Sequence, residues 1–151
     1  TDKSINLFEK HHVFSASELR SRAEMMYENY SKVINIEAKT MIAMVNERYI
    51  PAVIRYTTRL ADSINSIREA APDVNVSVQI SLLKEISDLL VEAREALDKL
   101  QADNESDKAR FFEEKIKAAM EELRLPIDEL EGMIDKDLWP VPSYGEILFE
   151  I

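Results

Sequence analysis

The sequence predicts an all-α protein with a long kinked first helix, an antiparallel pair of heptad helices and an extended aromatic C-terminal tail packed back on them. Three observations carry this. Two glycines in 151 residues leave little for sheets, tight hairpins or glycine-rich phosphate loops, all of which need φ > 0 or close backbone approach. Apolar residues recur at intervals of three and four over most of the chain, the period of a helix face. Prolines and polar turn residues divide this pattern into three long runs.

Residues 1–14, TDKSINLFEKHHVF, show no clear period and read as a linker. A helix start follows. Ser15 and Glu18 form a capping box, in which the hydroxyl accepts from the N3 amide and the carboxylate reaches back to the cap amide. Phe14 and Leu19 stand at the staple positions around it.

From Leu19 the apolar series Ala23, Met26, Tyr30, Val33, Ile34, Met41, Met44, Val45, Ala52, Val53, Tyr56, Leu60, Ile64 and Ile67 predicts one helix over about 16–71. At 1.5 Å per residue it would extend about 75 to 80 Å, longer than a 17.4 kDa globule is wide. Part of it is therefore expected to project from the domain or to be covered by something else. Pro51 lacks an amide donor and crowds the carbonyl four residues earlier, so a kink is expected there.

Pro72-Asp73 and the stretch Val74 to Ser77 make the first turn. The second helix, 77–101, places Leu83, Ile86, Leu90, Ala93, Leu97 and Leu100 on a heptad seam. ADNES at 102–106 reads as a polar turn. The third helix, 106–137, places Ala109, Phe112, Ile116, Ala119 and Leu123 in register. It breaks near Pro126 and resumes with Ile127, Leu130 and Ile134. Two such seams joined by a short turn should pack antiparallel against part of the first helix. Pro140 and Pro142 then force extended backbone.

The tail at 138–151 is the least ordinary feature. Leu138, Trp139, Val141, Tyr144, Ile147, Leu148, Phe149 and Ile151 crowd a chain end where polar fraying is usual. An aromatic side chain removes about 150 to 250 Å² from water when buried, so the segment should dock. It either crosses the helical pair or closes an interface with another subunit or domain. Trp139, Tyr144, Ile147 and Phe149 are the candidate docking residues.

Chemistry is sparse. Glu9 and His12 form a Glu-x-x-His, but a carboxylate-bridged metal centre in a bundle needs a second motif and two further glutamates, and no His follows residue 12. Glu113-Glu114 and Glu121-Glu122 read as solvated helix faces, as 32% charged residues would produce. Of Met25, Met26, Met41, Met44, Met120 and Met133, most keep helical register with aliphatic neighbours and read as gap-filling core in preference to a binding groove. No phosphate loop, cysteine nucleophile or serine triad is present. The residues thus nominate no catalytic, cofactor-binding or metal site.

A formal charge of −10 repels a phosphate backbone, so nucleic acid is not an expected partner. No apolar run is long enough to cross a bilayer. The absence of cysteine fits a reducing compartment, and a soluble cytoplasmic protein is expected. The start at Thr1 without Met suggests a piece of a longer polypeptide.

Three stretches carry a family resemblance: SINLFEKHHVFSASEL at the start, ENYSKVINIEAKTMIAMVNERYIPAV at 28–53 and MEELRLPIDELEGMIDKDLWPVPSYGEILFEI at 120–151. Together they resemble the C-terminal region of type III glutamine synthetases, over essentially the whole chain. The resemblance implies an ATP-dependent ligase joining ammonia to glutamate through γ-glutamyl phosphate, using Mg²⁺ or Mn²⁺ and assembled in stacked hexameric rings. It also implies that residues 1–14 leave an upstream catalytic domain that holds every ligand and metal contact, so that this segment alone has no activity. A structural or assembly role, with that domain and other ring subunits as partners, is the expectation. A free-standing helical adaptor binding along the heptad seams is the alternative.

Overall fold

The computed structural model describes residues 1–105, 112–142 and 144–149. The chain is helical over 85% of the described residues, with no strand among them, in agreement with the all-α expectation. In order come α1 (Asp2–Lys10), α2 (Ala16–Met44), a π-helical turn (Val45–Tyr49), α3 (Ile50–Ala70), α4 (Ser77–Glu105), α5 (Phe112–Met133) and α6 (Tyr144–Phe149). The helical backbone is unbroken over 16–70, a run of 55 residues. Two compact units, Thr1–Glu37 and Ala38–Ile151, divide the chain.

In the first unit, residues expected to be an aperiodic linker form α1. Asp2 lies in its first turn and Lys10 in its last, each with the sign that complements the helix dipole. The helix closes in a Schellman motif: the Val13 amide donates to the Phe8 carbonyl at 3.0 Å and the His12 amide to that of Glu9 at 3.0 Å. His12 takes the left-handed position at φ 53°, where glycine is usual. The chain bends and enters α2 at once.

The capping box forms as expected. The Ser15 amide donates to Glu18 Oε2 at 2.8 Å, and Ser15 Oγ accepts from the Glu18 amide at 3.3 Å. Phe14 contacts Phe8, with ring centroids 6.0 Å apart, and the Arg22 guanidinium lies 4.6 Å from its ring centre.

In the second unit, Pro51 acts on the helix through the π-turn. The Ile50 amide bonds to the Val45 carbonyl, five residues back, so the ladder widens just before the residue that has no amide to offer. The helix continues through it, burying Val45, Ala52, Val53 and Ile64. Pro72 ends the run, with Ala71 held extended at φ −150°, ψ 84°. Asn75 Oδ1 accepts from the Ser77 amide at 2.9 Å, starting α4.

The α4 and α5 seams form the core. Ile86, Ala93, Leu97 and Leu100 face Ile116, Ala119, Leu123 and Leu130, all buried. Lys99 pairs with Glu122 and Asp103 with Lys115, which fixes the two helices as antiparallel. Leu89 is buried where the heptad count placed Leu90, which is half-buried, because 3.6 residues per turn drifts against a 3.5 repeat. Phe112 lies in α5, with its side chain outside the described residues, as is Ala109.

Four boundaries differ from expectation. Residues 102–105 are the end of α4 and not a turn, since buried Asp103 is paired to Lys115 there. No break occurs at Pro126, which is itself buried inside α5. A helix-interior proline costs about 3 kcal/mol, and burial of neighbouring Leu123, Ile127 and Leu130, at about 1.5 to 3 kcal/mol each, outweighs it. Helix α5 stops at Met133 and not near 137. There Asp135 turns the chain, its carbonyl accepting from the Leu138 amide at 2.9 Å and its side chain from the Asp137 amide at 3.1 Å. Finally, the tail is not extended throughout, since Tyr144–Phe149 form α6. Lys136 anchors that helix through Glu146 at 3.0 Å.

Candidate functional site

In the second unit the π-turn joins two other segments, one through an aromatic pair and one through a polar contact. The π-turn presents Asn46 and Tyr49, α4 contributes Arg94, and the turn after α5 delivers Trp139. The Tyr49 and Trp139 rings stack with centroids 5.0 Å apart and planes 23° apart, within the offset-stacked range. Trp139 is 9% exposed, and its buried indole N–H has no hydrogen-bond partner among the described residues. Arg94 donates to Asn46 Oδ1 at 3.3 Å and pairs with Asp98 at 2.8 Å, tying the π-turn to α4.

Burial pushes the Tyr49 phenol above its usual pKa. The Glu131 carboxylate pushes the same way, Arg48 opposes, and Asp128 adds to the rise. The phenol is therefore neutral at physiological pH, and an aromatic stack of this kind offers no nucleophile or base. It acts as a joint, holding the chain that leaves α5 against the widened turn.

The four candidate docking residues thus divide. Trp139 is covered by its own chain. Ile147 and Phe149, at 65% and 80%, are exposed on α6. Tyr144 begins α6, with its side chain outside the described residues. Tyr49 was not singled out by sequence, although Pro51, two residues on, marked the disturbed helix that presents it.

The other constellations take structural roles. Glu9 Oε1 accepts from the Ala16 amide at 2.9 Å, capping a second orphan donor of α2 beside the Ser15 box. His11 and His12 are exposed. Among the described residues no group of three His, Cys, Asp or Glu is placed to hold a metal ion. A shallow open depression lined by Ser81, Lys84, Glu85, Asp88, Leu89, Glu92 and Glu129 is acidic and brings no nucleophile against a base. No helix among the described residues is long and apolar enough to cross a membrane.

Residues 1–68 match the family described as Glutamine synthetase C-terminal domain. The chain is 35% identical, over 99% of its length, to a Type-3 glutamine synthetase of Dictyostelium discoideum. It is 31% identical over its full length to a glutamine synthetase of Butyrivibrio fibrisolvens, and 28% identical over 91% of its length to one of Bacteroides fragilis (strain YCH46). It covers 22%, 23% and 20% of those three proteins respectively, so the chain spans about a fifth of the length of the curated relatives it matches.

Proposed function

We propose that this chain, whose residues 1–68 match the Glutamine synthetase C-terminal domain family and which is similar along its length to type-3 and other glutamine synthetases, serves a larger type-3 enzyme as a non-catalytic brace. The enzyme would join ammonia to glutamate at the expense of ATP, with Mg²⁺ or Mn²⁺ held in the part of the polypeptide outside these residues. One observation carries the reading: relatives named as synthetases match this chain from end to end, yet four-fifths of their length lies elsewhere. A helical core, an aromatic joint and an exposed apolar C-terminal helix suit a brace between folded bodies. The bodies are the catalytic domain of the same chain and neighbouring subunits of a homo-oligomeric ring, and a cytoplasmic setting suits an ATP-consuming ligase.

The docking residues give this role its test. In the full-length enzyme, deletion of 138–151 removes Trp139 from Tyr49 and removes the exposed α6 residues Ile147 and Phe149. The expected result is loss of ring assembly by light scattering, with turnover falling alongside it. A truncated enzyme with unchanged assembly, thermal midpoint and glutamine formation would sink the idea.

A further inference from the structure

The long helix is out of step with itself. In the second unit Ala38 and Val45 are buried seven residues apart, and Val53, Leu60 and Ile64 follow at intervals of seven and four, Leu60 half-buried and the other two buried. Each set keeps one line along a helix of 3.6 residues per turn, whereas the eight residues from Val45 to Val53 leave the second line about 80° round from the first. Ala52, seven on from Val45, is buried too, but Arg59 and Ser66, at the next two steps of seven, are exposed. Its line stops there.

One line of packing along both stretches therefore needs a surplus residue to be taken up between Val45 and Val53. The π-turn takes it up. Its bond from the Ile50 amide to the Val45 carbonyl closes over one residue more than an α-turn does. Packing requires the surplus somewhere between those two valines and leaves open which turn holds it. Pro51 chooses the turn: it has no amide to close an α-turn on the Glu47 carbonyl, and its ring would crowd that carbonyl. A widened turn just before it relieves both conflicts.

The place of the surplus decides where Tyr49, the last residue of the widened turn, is aimed. With the surplus upstream, Tyr49 shares the register of Val53 and stacks on Trp139. With the surplus one turn further on, it would share the register of Val45 and stand about 80° away, off the indole.

We infer that Pro51 is a positioning residue for the C-terminal tail: it pins the surplus residue in Val45–Tyr49 and so aims Tyr49 at Trp139. The turn that Trp139 anchors also holds α6, through Lys136 and Glu146, so the seat of α6 depends on a proline in the first long helix. The inference stands apart from the proposed function.

Pro51→Ala tests it in the full-length protein, with hydrogen exchange read by peptide mass spectrometry. Alanine restores a donor and is the better helix former, so a proline with no positioning role would leave every peptide as slow as before or slower. The expected result is the reverse at one place. Peptides over 136–142, whose Leu138 and Trp139 amides close the turn after α5, exchange about tenfold faster or more, and those over 86–100 and 116–130 are unchanged. Tyr49→Leu, which keeps an apolar side chain and removes the ring, should release the same peptides with Pro51 in place. The double variant should exchange no faster than Tyr49→Leu alone, because both substitutions act through one contact. Unchanged exchange over 136–142 in either single variant overturns the inference, as does additive acceleration in the double variant. Acceleration in Pro51→Ala that extends to 86–100 and 116–130 also overturns it, in favour of a general loosening of the core.

Discussion

Glu18 and Glu9 cap the start of the same helix by different routes, and only one route is legible in sequence. Ser15 and Glu18 stand three apart, a spacing that needs nothing beyond local geometry to close. Glu9 reaches Ala16 only because His12 bends the chain into the left-handed region. No local pattern announces that bend, since glycine is the usual signal and is absent here. The Trp139 and Tyr49 stack is hidden for a related reason. An apolar tail announces that it docks, whereas the ring that receives it is chosen by packing between distant segments. The Glu18 carboxyl is held below its usual 4.5, first by the Ser15 amide and then by the Ser15 hydroxyl, with Arg22 adding slightly. A lowered folded-state pKa stabilises above the unfolded value and is lost as pH falls through the lower folded one. Carbon-detected NMR should therefore place the Glu18 midpoint below 4.5, with fraying of the first turn of α2 below it. A midpoint at 4.5 or higher would contradict the capping geometry.

At the scale of elements, periodicity was the dependable guide and proline the misleading one. The α4 and α5 seams repeat every three and four residues, and Ile86, Leu97, Leu100, Ile116, Leu123 and Leu130 on them are among the largest fully buried side chains. Prolines 51 and 126 look alike on paper and behave differently in place. Before Pro51 the ladder widens into a π-turn, whereas Pro126 is carried inside α5 by the burial around it. Whether a missing donor breaks a helix depends on what neighbouring side chains gain by staying, which sequence does not display. α6 is not announced in sequence because Pro140 and Pro142 speak for extended backbone so close before it. The seam is directly testable. Leu97 is fully buried, so Leu97→Ala should cost about 2 to 5 kcal/mol, read as a lower urea midpoint at unchanged slope. Val91→Ala, on an exposed position of the same helix, should change stability by about 0.5 kcal/mol or less.

The molecule as a whole divides unevenly. Nearly all of its buried apolar residues lie in Ala38–Ile151, whereas the described part of Thr1–Glu37 has Ile34 alone among its fully covered hydrophobics. Local opening follows buried contact. In the 151-residue chain, amides of Ile86, Leu97, Ile116 and Leu123 should exchange only through global unfolding. Those of residues 2–30 should exchange about a hundredfold faster or more, a gap of roughly 3 kcal/mol in opening free energy. Uniform protection across both units would show the first to be held by more than the contacts described. The family relation was legible because long stretches over the whole chain carry it. The uneven division was not, because the same three-and-four spacing runs through covered and exposed parts of one helix. The aromatic joint has one further consequence, an optical one. Trp139 is the sole tryptophan and it lies against the π-turn, so native emission excited at the red edge reports that contact. A melt followed by fluorescence would time the departure of the tail from Tyr49 and be blind to α1, and only circular dichroism beside it would reveal the two parting at different temperatures.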